Sequence, residues 1–592
     1  MDRQATFGFI LIFVVLLVWM WMNAPEAKKP AEPPAKAQVQ DTVQPVRPTV
    51  KASAADKAEP NPFGTYFSAR ATGRERLITV ETDEFRAVFS TRGGLIQSWE
   101  VKGYKTWFGG PVDLVGSDTR GDFSLLFTTS DGRVVNTRDL YFDAPTGSDH
   151  IALTGNFEFE LKFSLPASNG GRIEKVFRFR NGEYGFTADV RLVNMADVIS
   201  GYEYQIVWEH GIRYAEHNSI DESSFAAAYA YAGGELTEID ASKVDQKEQK
   251  ELAGTIEWVA TRNKYFGVAL LPRSSQSDGA YLEGIRHAAP DNGAVESYAI
   301  ALKMPFKGNA DETSSLAVFL GPLQHTLLKS YNVGLENIMS LGWAWLIRPI
   351  SEYVMLPLFS GIHYFIPNWG LVIIVFSIII KIALHPLTKS SMSSMKKMQK
   401  LQPMMDEIRE KYKDDPQKMN SSIMNLYRDY GVNPAGGCLP LLLQLPIMYA
   451  LYAVFRSAIE LRQASFVWWI TDLSVPDVAF SLPFHIPLFG VKDISGIALL
   501  MGVTMFVQQK MSVQDPRQKA MVWMMPIMMT LLFNGFPAGL NLYYAVFNLL
   551  SIGQQYFVNK QHDDAPLRKV EPKKKSRGGI FKLTKDMPRL KK

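Results

Sequence analysis

The sequence predicts a multi-domain membrane protein. A polytopic α-helical core of five helices plus an N-terminal anchor, six spans in all, carries a large antiparallel β-sandwich on the outer side of the membrane. Three observations predict it. The 592 residues fall into two unlike parts: before about 335 the chain holds one apolar run and is otherwise polar, and after it the chain is apolar and rich in methionine. Between 63 and 335 the hydrophobic period is two, the period of half-buried strands. Beyond 335 apolar segments of spanning length recur, and one of them, 369–389, holds a lysine, Lys381, inside the run.

At the N-terminus, 1–22 ends in Trp19, Met20, Trp21 and Met22 rather than in the small residues a cleavage site needs. It reads as an uncleaved transmembrane anchor with its N-terminus in the cytoplasm. The segment 23–62 is dominated by Pro, Ala, Lys and Glu and reads as a disordered tether, because it lacks the apolar surface to fold.

In 63–335, Phe157, Phe159, Leu161, Phe163 and Leu165 alternate with polar residues, as do Phe186, Ala188, Val190 and Leu192. Arg92-Gly93-Gly94, Ser168-Asn169-Gly170-Gly171 and Asn181-Gly182 supply turns. Many antiparallel strands in one stretch predict a large β-sandwich. The single cysteine, Cys438, excludes an internal disulfide, so this domain must rest on its own core. Large sandwiches include sugar-processing enzymes, but His210 and His217 are scattered as ordinary loop histidines are, and a scaffold or docking module is the better reading.

A short helix over 323–332 closes the domain. The segment 336–367 mixes Trp343, Trp345, Leu346, Met355 and Phe359 with Arg348, Glu352 and His363, and Pro349 and Pro357 interrupt it. It reads as an amphipathic helix in the outer interface, its charges and prolines arguing against a span. The core, 368–560, follows. After the lysine-bearing span come apolar segments at 434–461, 494–511, 521–533 and 536–558. The last two form a tight hairpin about Asn534-Gly535-Phe536-Pro537-Ala538-Gly539. Orientation follows the basic residues: 389–433 holds nine Lys/Arg, and the tail from Lys560 holds twelve against four Asp/Glu. Both belong in the cytoplasm, the latter as a basic tail over 561–592. That places the sandwich across the membrane.

The cytoplasmic loop, 390–432, reads as a helical hairpin broken at Asp414-Asp415-Pro416. Met392, Met395, Met398, Leu401, Met404 and Met405 recur every three to four residues along its first arm. Methionine suits a surface that accepts varied apolar partners, and it equally suits an ordinary seam between the arms. Met521, Met524, Met525, Met528 and Met529 leave the same choice, between facing lipid and facing a guest helix.

Lys381 is the focus of the core. A charge at that depth costs roughly 2.5–3.5 kcal/mol on insertion scales, so it faces protein or water and has a use there, unless it snorkels to the interface. Ser377 lies one turn before it on the same face. Gln444 interrupts the next span, and the last span carries Asn541, Tyr543, Tyr544, Asn548, Ser551, Gln554 and Gln555. Packed together, these would line one wet chamber around the lysine. Single polar residues in spans more often tie helix to helix, but their number here, beside a charge, favours the chamber. No Cys-x-x-Cys, His-Glu-x-x-His, Walker loop or Gly-x-Ser-x-Gly is present, so neither a metal, a nucleotide nor another cofactor is expected.

Five strings, IALHPLTK at 382–389, VNPAGGCLPLLLQLPI at 432–447, IELRQASFVWWITDLS at 459–474, MGVTMFVQQKMS at 501–512 and FPAGLNLYY at 536–544, closely resemble the YidC/Oxa/Alb family of membrane protein insertases. The anchor, tether and outer β domain resemble its Gram-negative form, which implies the bacterial inner membrane and a periplasmic sandwich. The resemblance puts the family's groove charge, usually arginine, on Lys381 and its neighbouring hydroxyl, usually threonine, on Ser377. The groove glutamine falls on Gln444, a groove tyrosine on Tyr544, and a polar position of the last helix on Phe547. Lysine keeps the positive field but lacks the guanidinium fork that captures a carboxylate bidentately.

The implied function is insertion and folding assistance for nascent membrane proteins through a hydrophilic groove of Lys381, Ser377, Gln444, Tyr544, Asn548 and Ser551. Met448, Met524 and Met528 would offer apolar faces to the guest. Met395, Met398, Met404 and Met405 of the cytoplasmic hairpin would receive it first. Implied partners are the Sec translocon, and the ribosome or anionic lipid for the basic tail. No covalent chemistry is required, so an enzyme is not expected. The rivals are a solute transporter or channel using the intramembrane lysine, against which no internal repeat is seen, and a tethered sugar hydrolase or epimerase.

Overall fold

The computed structural model of the chain describes residues 62–116, 119–274, 276–290, 293–432, 439–486, 490–512, 519–560 and 569. The expected anchor, nearly all of the tether and, apart from 569, the basic tail lie outside the described residues.

Period-two alternation becomes strands where the sequence places it. Glu158–Pro166 buries Leu161, Phe163 and Leu165, and Gly185–Val193 buries Phe186, Ala188, Val190 and Leu192. Phe157 departs from expectation: it precedes the strand and is 70% exposed. Gly93, Gly94, Gly170 and Gly182 take φ values of 75°, 56°, 84° and 87° in the turns between strands, a region closed to most side chains. The strands of the sandwich build three sheets, antiparallel but for one pair. The eight-stranded sheet runs Glu235–Ile239, Ala227–Ala232, Trp258–Arg262, Phe266–Pro272, Asp311–Pro322, Gly185–Val193, Arg172–Arg180 and Glu158–Pro166. A six-stranded sheet is centred on Gly293–Pro305 and Ile199–Trp208. A five-stranded sheet is formed by the first four strands with His150–Ala152, which joins Leu77–Glu81 in parallel.

The inner faces share one core. Phe85 stacks on Trp99 with ring centroids 4.0 Å apart, and Phe89, Phe177, Phe179 and Phe186 cluster beside them. Lys175 enters this core fully buried. Its ammonium donates to the carbonyls of Phe123 (2.7 Å), Gly93 (2.8 Å) and Gly94 (3.3 Å), between the rings of Phe123 and Phe142. Three donors meet three acceptors, while burial lowers the pKa of the lysine to about 7. The lysine thereby pins a turn of the five-stranded sheet and the segment entering the strand Ser124–Thr129 of the six-stranded sheet to the eight-stranded one.

A second apolar cluster starts on the outer face of the eight-stranded sheet, at Tyr229, Trp258, Ala260 and Phe319, and continues through Leu328, Leu335 and Met339 into the helices at Ile347, Phe359, Phe376, Phe455 and Tyr543. The helical parts are α1 Leu356–Phe365, α2 Trp369–Ala383, α3 His385–Lys411, α4 Pro416–Asp429, α5 Leu439–Ser457, α6 Gly496–Ser512, α7 Lys519–Phe533 and α8 Ala538–Lys560. Helix α2 packs against α8 and α1, and α6 against α8 and α7. A side chain at Gly539 would meet Phe455 at 2.7 Å, so glycine is what lets α8 approach α5. Among the described residues no helix is long and apolar enough to cross a membrane.

Three local expectations change. The prolines of the interfacial segment do not interrupt it: Ile347–Ile350, a π-turn at Ser351–Met355 and α1 follow one another directly, because Pro349 lies in a first turn, where no N–H is needed, and Pro357 follows the π-turn. Arg348 pairs with Glu352 at 2.5 Å, which removes much of the cost of placing both there. The helix of the lysine-bearing span stops at Ala383, and His385-Pro386 starts a new one five residues before the expected loop. Finally, the segment between α5 and α6 holds a β-hairpin, Phe480–Ile486 with Val491–Ile494. The break in the helical hairpin of α3 and α4 is where the sequence puts it: Asp415 accepts from the N–H of Lys418 and Pro416 opens α4.

Charged groups fasten the sandwich to the helices. Asp221, in the one-turn helix Ser219–Ser223, pairs with Lys264 (2.8 Å) and with Arg456 of α5. Arg456 lies over the ring of Phe225, and Arg462 pairs with Glu216 at 2.5 Å. Beside Asp221, buried Glu222 accepts backbone N–H bonds from Ala215 and Glu216, and burial pushes its carboxyl up to about 8.

Two outcomes follow. Lys175→Met leaves three buried carbonyls without a donor and should cost on the order of 3 kcal/mol in denaturant unfolding of the full chain. Glu222 keeps its proton in the folded state up to about pH 8, whereas its ordinary value is 4.5. The folded state therefore binds more protons in that window, and this group's stabilisation, complete below about pH 4.5, falls as pH rises to about 8. Glu222→Gln should flatten that part of a melting-temperature profile against pH; an unchanged slope would assign it to other groups.

Candidate functional site

The site forms where α2 meets α8. Helix α2 is apolar throughout except at Ser377 and Lys381, and Asn368 caps its start by accepting from the N–H of Leu371. Lys381 falls in the last turn, where the free carbonyl ends of the helix favour a cation. It is only 8% exposed. Its ammonium donates to Ser551 Oγ at 2.6 Å and lies 4.3 Å from the centroid of the Phe547 ring. Ser551 in turn donates to the carbonyl of Phe547 (2.8 Å), one turn earlier in α8. The lysine thus rests on one turn of α8, between a hydroxyl and an aromatic face.

That arrangement uses one of three ammonium donors on a side chain. Among the described residues Ser551 is the one side chain that bonds it. The pairing of lysine with Phe547 is coherent: an aromatic face stabilises a cation where a polar side chain is missing.

The other expected residues are placed as follows. Ser377 is fully buried one turn before Lys381, but its hydroxyl donates to its own helix at the Ile373 carbonyl (2.7 Å). Asn548 reaches Thr504 of α6 at 3.4 Å, so the polar face of α8 touches a second helix. Gln554 lies 3.2 Å from His385 Nδ1 and donates to Thr388 at 3.3 Å, extending that face to the start of α3. Tyr544 packs edge-on against Phe533 and Tyr543. Its hydroxyl and that of Tyr543 are buried without a hydrogen-bond partner among the described residues, as are Gln509 Oε1 and Gln554 Oε1. Gln444 is half-buried on α5. Asn541 is the one that serves local structure: it donates to the carbonyls of Phe533 and Phe536 and closes the α7–α8 turn.

The apolar candidates divide. Met524 is exposed and Met448 and Met528 are half-buried. In the cytoplasmic hairpin Met405 is buried and receives the Tyr427 hydroxyl at 3.0 Å, so it belongs to the seam with Leu401, while Met404 is exposed and Met398 half-buried. The side chain of Met395 lies outside the described residues.

Phe547, which the resemblance places at a polar position of the last helix, meets the ammonium directly through its ring, and Thr504 joins the polar face of α8 with no signal for it in the sequence. The spacing 544, 547, 548, 551 and 554 on one helix is the signal that groups Phe547 with the polar positions. Buried hydroxyls and amides with no protein partner need water or a guest's polar groups, since each otherwise costs about 1–3 kcal/mol. Helix α8, which carries several of them together with the serine that bonds the ammonium, can offer hydrogen bonds to polar peptide groups, and the ammonium can attract carboxylates. Among the described residues no group of three or more His, Cys, Asp or Glu could hold a metal.

Two families match the chain: one described as 60Kd inner membrane protein over residues 361–565, and one described as YidC periplasmic domain over residues 77–352. The membrane protein insertase YidC of Pelodictyon phaeoclathratiforme is 40% identical over 576 residues, covering 96% of this chain and 97% of its own. That of Chlorobium phaeovibrioides is 40% identical over 593 residues, covering 98% and 100%. A solved structure of an active YidC insertase with its first transmembrane domain resolved is 21% identical, with a TM-score of 0.35, and covers 82% of this chain and 93% of its own.

Removing the partner of Lys381 should be felt. Ser551→Val should lower stability in detergent by about 1.5–3 kcal/mol, the usual range for a hydrogen bond to a charge, and Ser551→Thr should retain most of it; equal melting of the two variants would deny the bond a structural role.

Proposed function

The chain belongs to the YidC family, and from that premise we propose that it is a membrane protein insertase that passes short polar segments of nascent inner-membrane proteins along the hydrophilic face between α2 and α8. As a member it is an inner membrane protein with a periplasmic β-sandwich domain and a 60Kd inner membrane protein core. In this reading both termini are cytoplasmic, the chain crosses the bilayer six times, and it works alone or beside the Sec translocon.

The observation that carries the reading is the ammonium of Lys381, buried and bonded by Ser551 of α8, a helix that also carries buried polar atoms without partners among the described residues. A peptide segment in hydrocarbon leaves each unpaired backbone group at a cost of several kcal/mol. A moist protein face shortens the dry path and lowers that barrier. Lys381 draws acidic residues of the guest by field alone, since lysine has no fork to fix them. Ser377, Gln444, Tyr544, Asn548 and Ser551 supply replaceable hydrogen bonds. The guest's apolar helix meanwhile slides along Met448, Met524 and Met528 into lipid. Met398 and Met404 of the hairpin meet it first, and the basic tail holds the ribosome or anionic lipid. No covalent step is involved.

A growth assay tests the charge. In cells depleted of their own insertase, this chain and Lys381→Arg should restore growth, and Lys381→Glu should do so poorly. Equal rescue by Lys381→Glu would remove the role of the positive field, and full rescue by Lys381→Ala would leave polarity alone as the requirement.

A further inference from the structure

We propose that the periplasmic sandwich is seated on the outer leaflet by the loop Thr106–Gly110, whose Trp107 and Phe108 insert among lipid headgroups. The loop joins the strands Leu95–Lys105 and Pro111–Asp113 at the edge of the five-stranded sheet. It is tightly closed: the N–H and the hydroxyl of Thr106 both donate to the Gly110 carbonyl, at 2.8 and 3.1 Å, and the N–H of Gly109 donates to the Thr106 carbonyl at 3.0 Å. Nothing in that closure requires large apolar side chains. Yet Trp107 is 55% and Phe108 68% exposed, with Lys105 exposed before them. The two rings meet edge to face at 5.5 Å, and Trp107 is braced against His217 at 4.6 Å, so the pair is held outward.

What gives this pair a lipid partner is where the loop is tied. Arg462 donates to the Lys105 carbonyl at 2.5 Å, and Gln463 donates to the same carbonyl at 3.0 Å and to that of Thr106 at 3.4 Å. These two residues follow closely on the end of α5 at Ser457. A few residues further on, Trp468 is 87% exposed and stacks with Trp469, whose indole is held by Asp477, the residue that also accepts from the N–H groups opening α6. The aromatic loop of the sandwich is thus fixed at the level where two core helices begin and end, beside the chain's own exposed tryptophans. Tryptophan and phenylalanine next to a lysine match the headgroup region, where rings meet acyl chains and the ammonium meets phosphate. The partner is therefore phospholipid.

This rests on the reading that α5 and α6 span the bilayer, and the test separates the two. Full-length protein carrying Cys438→Ala is labelled with an environment-sensitive fluorophore at Phe108→Cys, at Phe157→Cys, or at Val503→Cys, and placed in nanodiscs. Phe157 is an exposed aromatic elsewhere on the sandwich, and Val503 is an exposed position of α6. The Phe108 label should emit to the blue of the Phe157 label and lose most of its intensity to lipids bearing a nitroxide near the headgroup. Emission like that of Phe157, quenched by aqueous iodide, overturns the proposal. So does a blue-shifted label untouched by nitroxide lipid, which would mean that a second protein surface covers it. The Val503 label should be quenched by nitroxide at the acyl-chain centre; if it is not, the spanning reading falls and the proposal with it.

Discussion

A cation buried among apolar helices has to be stabilised locally, and the helical core is arranged around that need. Lys381 lies in the last turn of α2, where carbonyl ends favour positive charge, and α8 supplies a hydroxyl and a ring face. These contacts satisfy the lysine only in part. A fully bonded ammonium would be a structural rivet, as Lys175 is with its three carbonyls in the sandwich. Among the described residues Lys381 has one side-chain bond, so the two buried lysines of one chain differ in how far their donors are met.

The sandwich is not merely attached by its ends. An apolar cluster runs without interruption from the outer face of the eight-stranded sheet into the helices. Around it Asp221, Lys264, Arg456, Glu216 and Arg462 form paired, partly buried contacts. Such pairs are costly to leave half-made, so they fix orientation more than they add net stability. They also set the height of the sandwich relative to the helix ends, which is what brings the aromatic loop at 106–110 to the level of Trp468.

Much of the fold was legible in the sequence, and the reasons are local. Leu161, Phe163 and Leu165 state a buried strand face by their spacing, and Gly170 and Gly182 mark turns that only a positive φ can make. Asp415-Pro416 caps and opens a helix by its own chemistry. What misled was equally physical. Pro349 and Pro357 look like breaks, but a π-turn between two helical pieces absorbs them. The hairpin at 480–494 has exposed Phe480 and Phe484 and no clean alternation, so nothing local announced it. In the candidate site, Lys381 stood out because a charge in an apolar run is anomalous anywhere. Phe547 stood out only through the family resemblance, because an aromatic in an apolar helix is ordinary until a cation is placed above it.

The sequence by itself determined the strand periods, the turns, the break at Asp415-Pro416 and the charge that needed explaining, since all of these depend on residues within a few turns of one another. Only the tertiary structure decided that Lys381 meets Ser551, 170 positions away, that Asn541 closes a turn instead of facing the lysine, and that Arg462 and Gln463 hold the edge of the sandwich. These depend on how helices rotate and how two domains seat. Polar residues on a helix are interchangeable candidates until packing selects which of them share a face with the charge.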